Sequence, residues 1–213
     1  MYPVLKRILD FVLALTGLVV LFPVFLPIAI WVKLSSPGPV IYAGARIGKD
    51  GRPFMMLKLR TMVANADSIG GTSTAADDAR LTSAGRFLRR FKLDELPQLI
   101  NVLYGEMSFV GPRPQVEWAV NLYTADERRL LSVRPGITDF ASLRFRNEGE
   151  ILRGSTNPDQ DYLEKIAPHK IGLGLYYVRH YSFSVDAKIL AATVLSIVGV
   201  DPSWCLPPTP ARA

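Results

Sequence analysis

The sequence predicts an α+β protein that is mostly helical, with an N-terminal membrane segment followed by one compact cytoplasmic domain that carries a small β-hairpin. Three observations support this prediction. Residues 8–32 are apolar except for one acid, two strand-like segments flank a turn within residues 40–59, and apolar residues recur at helical spacing over most of the remainder. A chain of 213 residues suffices for one domain with a sizeable core.

The N-terminal segment, residues 1–35, is long enough for a helix to cross the ~30 Å hydrocarbon core of a bilayer. Pro23 removes a helix hydrogen bond and biases Phe22 away from helical angles, so we expect a break at Phe22-Pro23. Basic residues flank both ends of the segment, which favours placing both ends on the cytoplasmic side. A re-entrant helix-break-helix in one leaflet fits these features, and an ordinary span, which tolerates proline, stays open.

Residues 36–200 have the pattern of a folded domain. Segments 40–42 and 54–59 are predicted strands joined by a turn at Lys49-Asp50-Gly51. Helical spacing follows in 85–91, 95–103, 116–123, 126–132 and 162–181, and residues 186–200 predict a core or interface helix that is too short to span a bilayer. Residues 201–213, which contain Pro207 and Pro208, are expected to form an extended tail.

The overall charge indicates an anionic partner. Lys plus Arg exceed Asp plus Glu by 25 to 19, which gives a net charge of +6 and a pI near 9.5. Nucleic acid, lipid headgroups and a phosphorylated substrate would all fit this charge. No nucleic-acid-binding motif accompanies it, so we expect no nucleic-acid partner. The single Cys205 excludes an internal disulfide, and its spacing from the two histidines matches no zinc site.

The densest polar region combines a basic run with an acidic pair. Five basic residues without an intervening acid precede Asp94-Glu95, namely Arg80, Arg86, Arg89, Arg90 and Lys92. Such a run could hold a polyanionic phosphate beside a carboxylate, and the helix that we expect to begin here would offer free N–H groups to an anion. From this segment alone, a simple N-cap of that helix is the favoured explanation of Asp94.

A second polar segment places Arg113 between Pro112 and Pro114. The prolines restrict the backbone, so the planar guanidinium could be aimed at a phosphate. A solvated arginine in a proline-rich loop explains this segment equally well.

Asp159-Gln160-Asp161 offers an alternative from another enzyme class. An Asp-x-Asp triplet could hold a metal and a nucleotide sugar in a glycosyltransferase that releases UDP. Because the triplet follows Asn157-Pro158 just before a helix, capping explains it as well.

Four ordered motifs together resemble the bacterial sugar transferase family, the small monotopic phosphoglycosyl transferases. They are KLRTM at 58–62, LDELPQLINVL at 93–103, GEMSFVGPRP at 105–114 and VRPGIT at 133–138. The resemblance covers essentially the whole chain, beginning with the Lys6-Arg7-x-x-Asp10 opening. Residues 36–200 are on this basis expected to form the catalytic sugar transferase domain.

The resemblance implies transfer of a sugar 1-phosphate from a UDP-sugar to polyprenol (undecaprenyl) phosphate, with release of UMP. In the family the aspartate of the Asp-Glu pair attacks the phosphate attached to the sugar and forms a covalent phosphosugar-aspartate ester. Asp94 occupies that position. Glu95 is the position expected to hold Mg²⁺ against the diphosphate.

Further substrate-binding positions carry over from the matched motifs and from the segment that follows the last of them. They are Lys58, Arg60, Thr61, Arg90, Pro112, Arg113, Pro114, Arg134, Arg144, Arg146 and Asn147. The membrane segment departs from the family, because Phe22 stands where a serine commonly precedes the proline, and phenylalanine cannot bond the freed backbone carbonyl.

The resemblance also implies partners and a location. The expected partners are a UDP-sugar, polyprenol phosphate and one leaflet of the membrane, with a homo-oligomer as a possibility. The expected location is the cytoplasmic face of the bacterial inner membrane, where the product starts a glycan.

Overall fold

A computed structural model of the chain describes residues 2–71 and 73–208. Its first element is the long helix α1, Tyr2–Ser35. Most large apolar side chains of α1 are exposed, Val19, Val20 and Phe22 among them. Within the described residues, α1 alone is long and apolar enough to cross a membrane.

The predicted hairpin is confirmed. Strands β1 (Ile41–Ile47) and β2 (Pro53–Leu59) pair in antiparallel register, with Ile41 opposite Leu59. A short 3-10 turn, Lys49–Gly51, joins them, and Asp50 adopts a left-handed φ of 57° that acidic and amide side chains tolerate better than most. The strands extend further toward this turn than the sequence pattern indicated.

Helices make up most of the remaining domain, as predicted. In chain order they are α2 Ala66–Ile69, α3 Ser83–Arg90, α4 Gln98–Tyr104, α5 Glu117–Asn121, α6 Phe140–Arg144, α7 Glu148–Ile151, α8 Pro158–Asp161, α9 Ala167–His180 and α10 Phe183–Ile197. A π-helical turn, Tyr162–Ile166, joins α8 to α9, and 3-10 turns form at Leu93–Glu95 and Glu127–Ser132.

A second, parallel pair of strands, which the sequence pattern did not reveal, consists of β3 (Ser108–Val110) and β4 (Gly136–Thr138). The backbones approach closely beside this pair. A Cβ on Gly111 would lie 2.3 Å from the Arg134 carbonyl oxygen, and one on Gly136 would lie 2.1 Å from the Gly111 nitrogen. Only glycine permits this approach, which brings two sequence motifs together.

Helix α1 contacts the domain near both of its ends. At its start, Arg7 donates to the carbonyl oxygens of Val102 and Leu103 at the end of α4, at 2.6 and 2.7 Å. Toward its end, Val32 is fully buried against Leu59 and Leu88. Both ends of α1 therefore lie beside the same domain.

The structure has no interruption of α1 at Phe22 and Pro23, where the sequence predicts one. The helix continues through Pro23 and Pro27. A helix can continue past a proline when it gives up the hydrogen bond to the residue four positions earlier and bends locally. Phe22 is 66% exposed, so its side chain faces away from the domain.

The main core lies between β3, α6, α9 and α10, where Tyr177 and Ile189 are almost wholly buried. Part of the segment that was expected to be an extended tail belongs to this core. Residues 202–205 form a 3-10 turn, Pro202–Cys205, and Cys205 is buried in the core instead of belonging to an extended segment. Pro207 and Pro208 follow, and the last five residues of the predicted tail lie outside the described residues.

Candidate active site

Three segments converge on one cluster of charged side chains. Lys58 lies near the end of β2, Asp94 and Glu95 lie in the 3-10 turn after α3, and Arg113 lies in the segment after β3. Lys58 Nζ is 3.9 Å from Asp94 Oδ2 and 3.5 Å from Glu95 Oε1, and Arg113 pairs with Glu95. The tertiary structure thus unites residues from three separate motifs.

The start of α3 is fixed by a cap and by a close approach. The Thr82 hydroxyl accepts a hydrogen bond from Gly85 N at 2.9 Å. A Cβ on Gly85 would lie 1.8 Å from the Thr61 carbonyl oxygen, so only glycine lets α3 lie against the end of the KLRTM segment. Lys92, with a left-handed φ of 58°, then turns the chain into Leu93–Glu95.

Asp94 is not the N-cap of the following helix. That helix, α4, begins at Gln98 and has no side-chain cap. The Asp94 residue is 5% exposed, and its Oδ1 atom is buried without a hydrogen-bond partner in the part of the chain that the structure describes. A buried carboxylate without full hydrogen bonding is costly, and a capping role would have satisfied this oxygen.

Glu95 is held by two cations. Arg113 donates to both carboxylate oxygens of Glu95, with Nη1 3.2 Å from Oε2. Burial alone would raise the pKa of Glu95, but the positive charges of Arg113 and Lys58 outweigh burial and lower it to about 2. Burial lowers the pKa of Lys58, and the Glu95 charge opposes that shift. Glu95 is therefore ionised at neutral pH.

Arg113 is oriented by its own loop. Its Nη1 also donates to the Ile137 carbonyl oxygen at 3.1 Å. Pro112 and Pro114 are buried on either side, and the Pro112 carbonyl oxygen accepts from Gly136 N at 3.1 Å. Arg113 thus lies between two buried prolines, and its side-chain partner in the structure is Glu95.

Arg60, which its motif assigns to substrate binding, contacts backbone carbonyl oxygens in the structure. Its guanidinium is buried and donates to the carbonyl oxygens of Val32, Ser36 and Pro39 at 2.5–3.1 Å. It therefore ties the end of α1 to the segment before β1. Thr61 next to it contributes its backbone, because its carbonyl oxygen accepts from the Thr82 N–H and hydroxyl.

Arg134 lies at the opposite end of α4 from Asp94. Its Nε donates to the Gly105 carbonyl oxygen at 2.7 Å, just beyond the last residue of α4. Arg113 and Arg134 therefore contact different neighbours, Glu95 and Ile137 for the first and Gly105 for the second.

The other predicted substrate-binding residues lie on separate parts of the surface. Arg90 ends α3 in an exposed position, with its guanidinium 5.7 Å from the centre of the Phe91 ring. Arg144 ends α6 and is exposed, and Asn147 is the exposed residue before α7. Arg146 donates to the Ser196 carbonyl oxygen near the end of α10.

Gln98 is a site candidate that sequence reasoning missed. It is the first residue of α4, is 0% exposed, and both its amide atoms lack hydrogen-bond partners. Gln98 stands in the LDELPQLINVL motif with Asp94 and Glu95, and this shared motif was the available signal.

The Asp-x-Asp triplet is engaged elsewhere. Asp159 Oδ1 accepts from Ser73 N at 2.7 Å, and Asp161 accepts from the Ser155 hydroxyl and pairs with Lys165 at 2.5 Å. These contacts secure the loop before α8 and the start of that helix. They account for both carboxylates without a nucleotide sugar.

Comparison with known proteins gives a consistent result. A family model described as "Bacterial sugar transferase" matches residues 1–199. A UDP-glucose:undecaprenyl-phosphate glucose-1-phosphate transferase of Escherichia coli is 41% identical over 197 residues, which cover 89% of this chain and 39% of that relative. The "Uncharacterized sugar transferase EpsL" of Bacillus subtilis is 37% identical over 200 residues, which cover 92% of this chain and 88% of that relative.

A third relative, the exopolysaccharide production protein ExoY of Sinorhizobium fredii, is 34% identical over 207 residues, with 90% of this chain and 84% of that relative covered. The chain therefore spans most of the length of two of these relatives and well under half of the Escherichia coli one.

Proposed function

Because the chain belongs to the bacterial sugar transferase family, we propose that it transfers a sugar 1-phosphate from a UDP-sugar to polyprenol phosphate, releases UMP, and passes through a covalent intermediate on Asp94. Several relatives are named UDP-glucose:undecaprenyl-phosphate glucose-1-phosphate transferases, which supports the reaction class. The observation that carries the proposal is the buried Asp94 Oδ1 without a hydrogen-bond partner, next to Lys58 and the Glu95–Arg113 pair.

The proposed reaction has two displacements at one phosphorus. Asp94 Oδ1 attacks the phosphorus attached to the sugar, the bond from that phosphorus to the bridging oxygen breaks, and UMP leaves with the electron pair. A phosphate oxygen of the polyprenol phosphate then attacks the same phosphorus and expels the Asp94 carboxylate. One site thereby serves two anionic substrates in turn.

The cations of the site reduce the repulsion between these anions. An Asp94 carboxylate must approach a charged diphosphate, so positive groups have to be in place beforehand. Lys58 contacts both carboxylates, and Arg113 has a planar fork that fits phosphate as well as carboxylate. We assign both residues to the diphosphate.

Mg²⁺ is part of the proposal, with Glu95 as its protein ligand. Carboxylate oxygens are suitable donors for this ion, and bound Mg²⁺ would supply positive charge at the diphosphate. The described residues contain no group of three or more His, Cys, Asp or Glu side chains that could hold a metal, so diphosphate and water would complete the coordination. Arg113 now occupies both Glu95 oxygens, so it must turn toward the phosphate when Glu95 binds the ion.

We also propose that α1 lies in one leaflet at the cytoplasmic face of the bacterial inner membrane. Contacts of Arg7 near the start and of Val32 near the end with one domain support this arrangement. Trp31, Phe87 and Phe91 form an exposed aromatic chain with centroid separations of 5.3 and 4.8 Å. Such rings collect at membrane interfaces, and Asp94 follows Phe91 by three residues.

Labelling of introduced cysteines tests this topology. Val4→Cys and Leu34→Cys replace residues that are 69% and 80% exposed, and the native Cys205 is buried and gives little background. In intact cells both cysteines should be shielded from an impermeant thiol reagent and should react after the cells are opened. Labelling of one position alone in intact cells would restore an ordinary span.

The intermediate is tested by intact-protein mass after brief incubation with a UDP-sugar and Mg²⁺ in the absence of polyprenol phosphate. We expect a sugar-phosphate adduct that peptide mapping places on Asp94. Asp94→Asn should fold, form no adduct and lose turnover by at least about 10³-fold, because the amide is not a nucleophile. Asp201→Asn is the matched control, since Asp201 caps an exposed 3-10 turn and asparagine caps equally well.

Adduct formation by Asp94→Asn, or robust turnover without any adduct and without exchange of UMP into the UDP-sugar, would exclude the covalent route. Release of UDP in place of UMP would exclude phosphosugar transfer altogether and would favour the Asp-x-Asp alternative.

A further inference from the structure

A second polar cavity lies at the start of α1, at the opposite end of α4 from Asp94. Its volume is about 70 Å³. A cavity of about 10–15 Å³ holds one water molecule, so this cavity has room for a group of several heavy atoms. The residues of interest in its lining are Lys6, Arg7, Asp10, Lys49, Ser108 and Arg134.

Positive charge dominates this lining. The lining has four cations, and two carboxylates compensate them, Asp10 in the lining and Asp186 in a salt bridge with Lys6. Asp10 also accepts from Phe109 N at 3.1 Å, so it is fixed by the backbone. An excess of two positive charges remains around a space that could hold an anion.

The cations are held in place by protein contacts. The Nη atoms of Arg7 bind the carbonyl oxygens of Val102 and Leu103, and Nε of Arg134 binds that of Gly105. An arginine that is fixed through some of its N–H groups loses less side-chain conformational entropy when it binds an anion through the others. The cavity is therefore preorganised.

Ser108 provides an independent indication of a ligand. It lines the cavity, is 0% exposed, and its hydroxyl has no hydrogen-bond partner among the described residues. A wholly buried hydroxyl without a partner is unfavourable unless a ligand or water satisfies it. A tetrahedral oxyanion would provide an acceptor.

We propose that this cavity is a phosphate-binding site separate from the Asp94 site, which takes the phosphate group of either an anionic phospholipid or a soluble phosphate. Lys6 and Arg7 directly precede the apolar part of α1, which is where lipid headgroups meet a membrane segment. The site would fix the start of α1 at headgroup depth. The proposal rests on binding groups and does not depend on the reaction at Asp94.

Binding to the full chain in detergent tests the proposal in two arms. In the first, native mass spectrometry measures retention of phosphatidylglycerol against diacylglycerol, which lacks the phosphate. In the second, calorimetric titration measures binding of inorganic phosphate. We expect a site with 1:1 stoichiometry in at least one arm, and the arm that responds identifies a lipid or a soluble source.

Two variants assign binding to this cavity. Lys49→Gln removes an exposed lining charge and should weaken binding by about threefold to tenfold. Ser108→Ala should weaken binding while leaving thermal stability unchanged or raised, because the hydroxyl has no protein partner to lose. Lys165→Gln, an exposed lysine that pairs with Asp161 elsewhere, is the matched control.

Loss of binding in Lys49→Gln and Ser108→Ala, with Lys165→Gln unchanged, supports the site. Absence of binding in both arms overturns the proposal. Binding that all three variants retain equally also overturns it, since the ligand would then lie elsewhere. Adduct formation on Asp94 can be measured independently in each variant, so failure of this proposal is distinguishable from failure of the proposed reaction.

Discussion

Asp94 and Asp186 are nearly equally buried, at 5% and 6% exposed, yet their surroundings differ in one decisive respect. Asp186 in the first turn of α10 binds Lys6, the Tyr2 hydroxyl and the Tyr177 hydroxyl, the last at 2.7 Å. Asp94 has an oxygen without any hydrogen bond, and its nearest cation, Lys58, is 3.9 Å away.

The difference separates an acid with partners on both oxygens from the acid that we propose as the nucleophile. Partners on both oxygens stabilise Asp186 as a tether between α1 and α10. At Asp94 the cation Lys58 lies 3.9 Å from Oδ2, and Oδ1 has no hydrogen-bond partner among the described residues. Burial alone does not distinguish the two roles, but the set of hydrogen-bond partners does.

The largest stability effect is expected from Asp186→Asn, and Asp94→Asn is the substitution to compare with it. Asp186→Asn should lower the free energy of unfolding by about 3 kcal/mol, because Lys6 loses its charged partner in a largely buried position. Asp94→Asn should leave this free energy unchanged or raise it. Chemical unfolding of the two variants in the same detergent measures both values, and equal losses would contradict the division of roles.

Glu95→Gln extends the comparison to a third acid, whose charge should stabilise the fold in a pH-dependent way. The pKa of Glu95 is about 2 in the folded chain against an ordinary 4.5, so its stabilising contribution is fully present above pH 4.5 and is lost as the pH falls through 2. The variant should therefore be less stable than the parent by about 2 kcal/mol at pH 7 after allowance for screening.

The stability difference between the parent and Glu95→Gln should shrink toward zero between pH 4.5 and 2, as measured by unfolding at each pH. Glu150→Gln, which breaks the fully exposed pair with Arg153, is the matched control and should show no comparable pH-dependent difference. A Glu95→Gln difference that is constant over this range would mean that the Glu95 charge does not stabilise the fold.

A smaller effect is expected from Arg113→Lys, which preserves the charge but loses the fork that binds Glu95 and the contact to the Ile137 carbonyl oxygen. The loss should be about 1.5 kcal/mol of transition-state stabilisation, on the order of tenfold in kcat/KM for UMP release. Arg153→Lys at an exposed pair should leave turnover unchanged. Unchanged turnover in a folded Arg113→Lys would remove the guanidinium from the reaction.

Local patterns predicted the elements whose determinants are close together in the chain. The Lys49-Asp50-Gly51 turn fixed the hairpin because turn-forming residues act on their own backbone. The β3–β4 pair escaped prediction, since each strand has three residues and its partner lies in a distant segment. The continuous α1 was also missed, because the cost of Pro23 in a helix depends on what surrounds it.

In the candidate site, too, local patterns predicted the residues but not their contacts with distant segments. Lys58, Asp94, Glu95 and Arg113 could be named from their motifs, and the structure brings them together. Arg60 lies in the same motif as Lys58, but carbonyl oxygens from the end of α1 and the segment after it bind its guanidinium. A motif identifies residue types that suit a chemistry, but it does not show which acceptors the fold will place beside each one.

The sequence by itself therefore determined the chemical groups available to this protein and the elements that form from neighbouring residues: an apolar N-terminal helix, a hairpin, and an acidic pair after a basic run. Only the tertiary structure decided that Asp94 Oδ1 is buried without a hydrogen-bond partner among the described residues, that Arg113 pairs with Glu95, and that Ser108 lines a basic cavity. The physical reason is that burial and hydrogen-bond partners arise from contacts between residues distant in the chain, and these contacts set the free energy of each polar group.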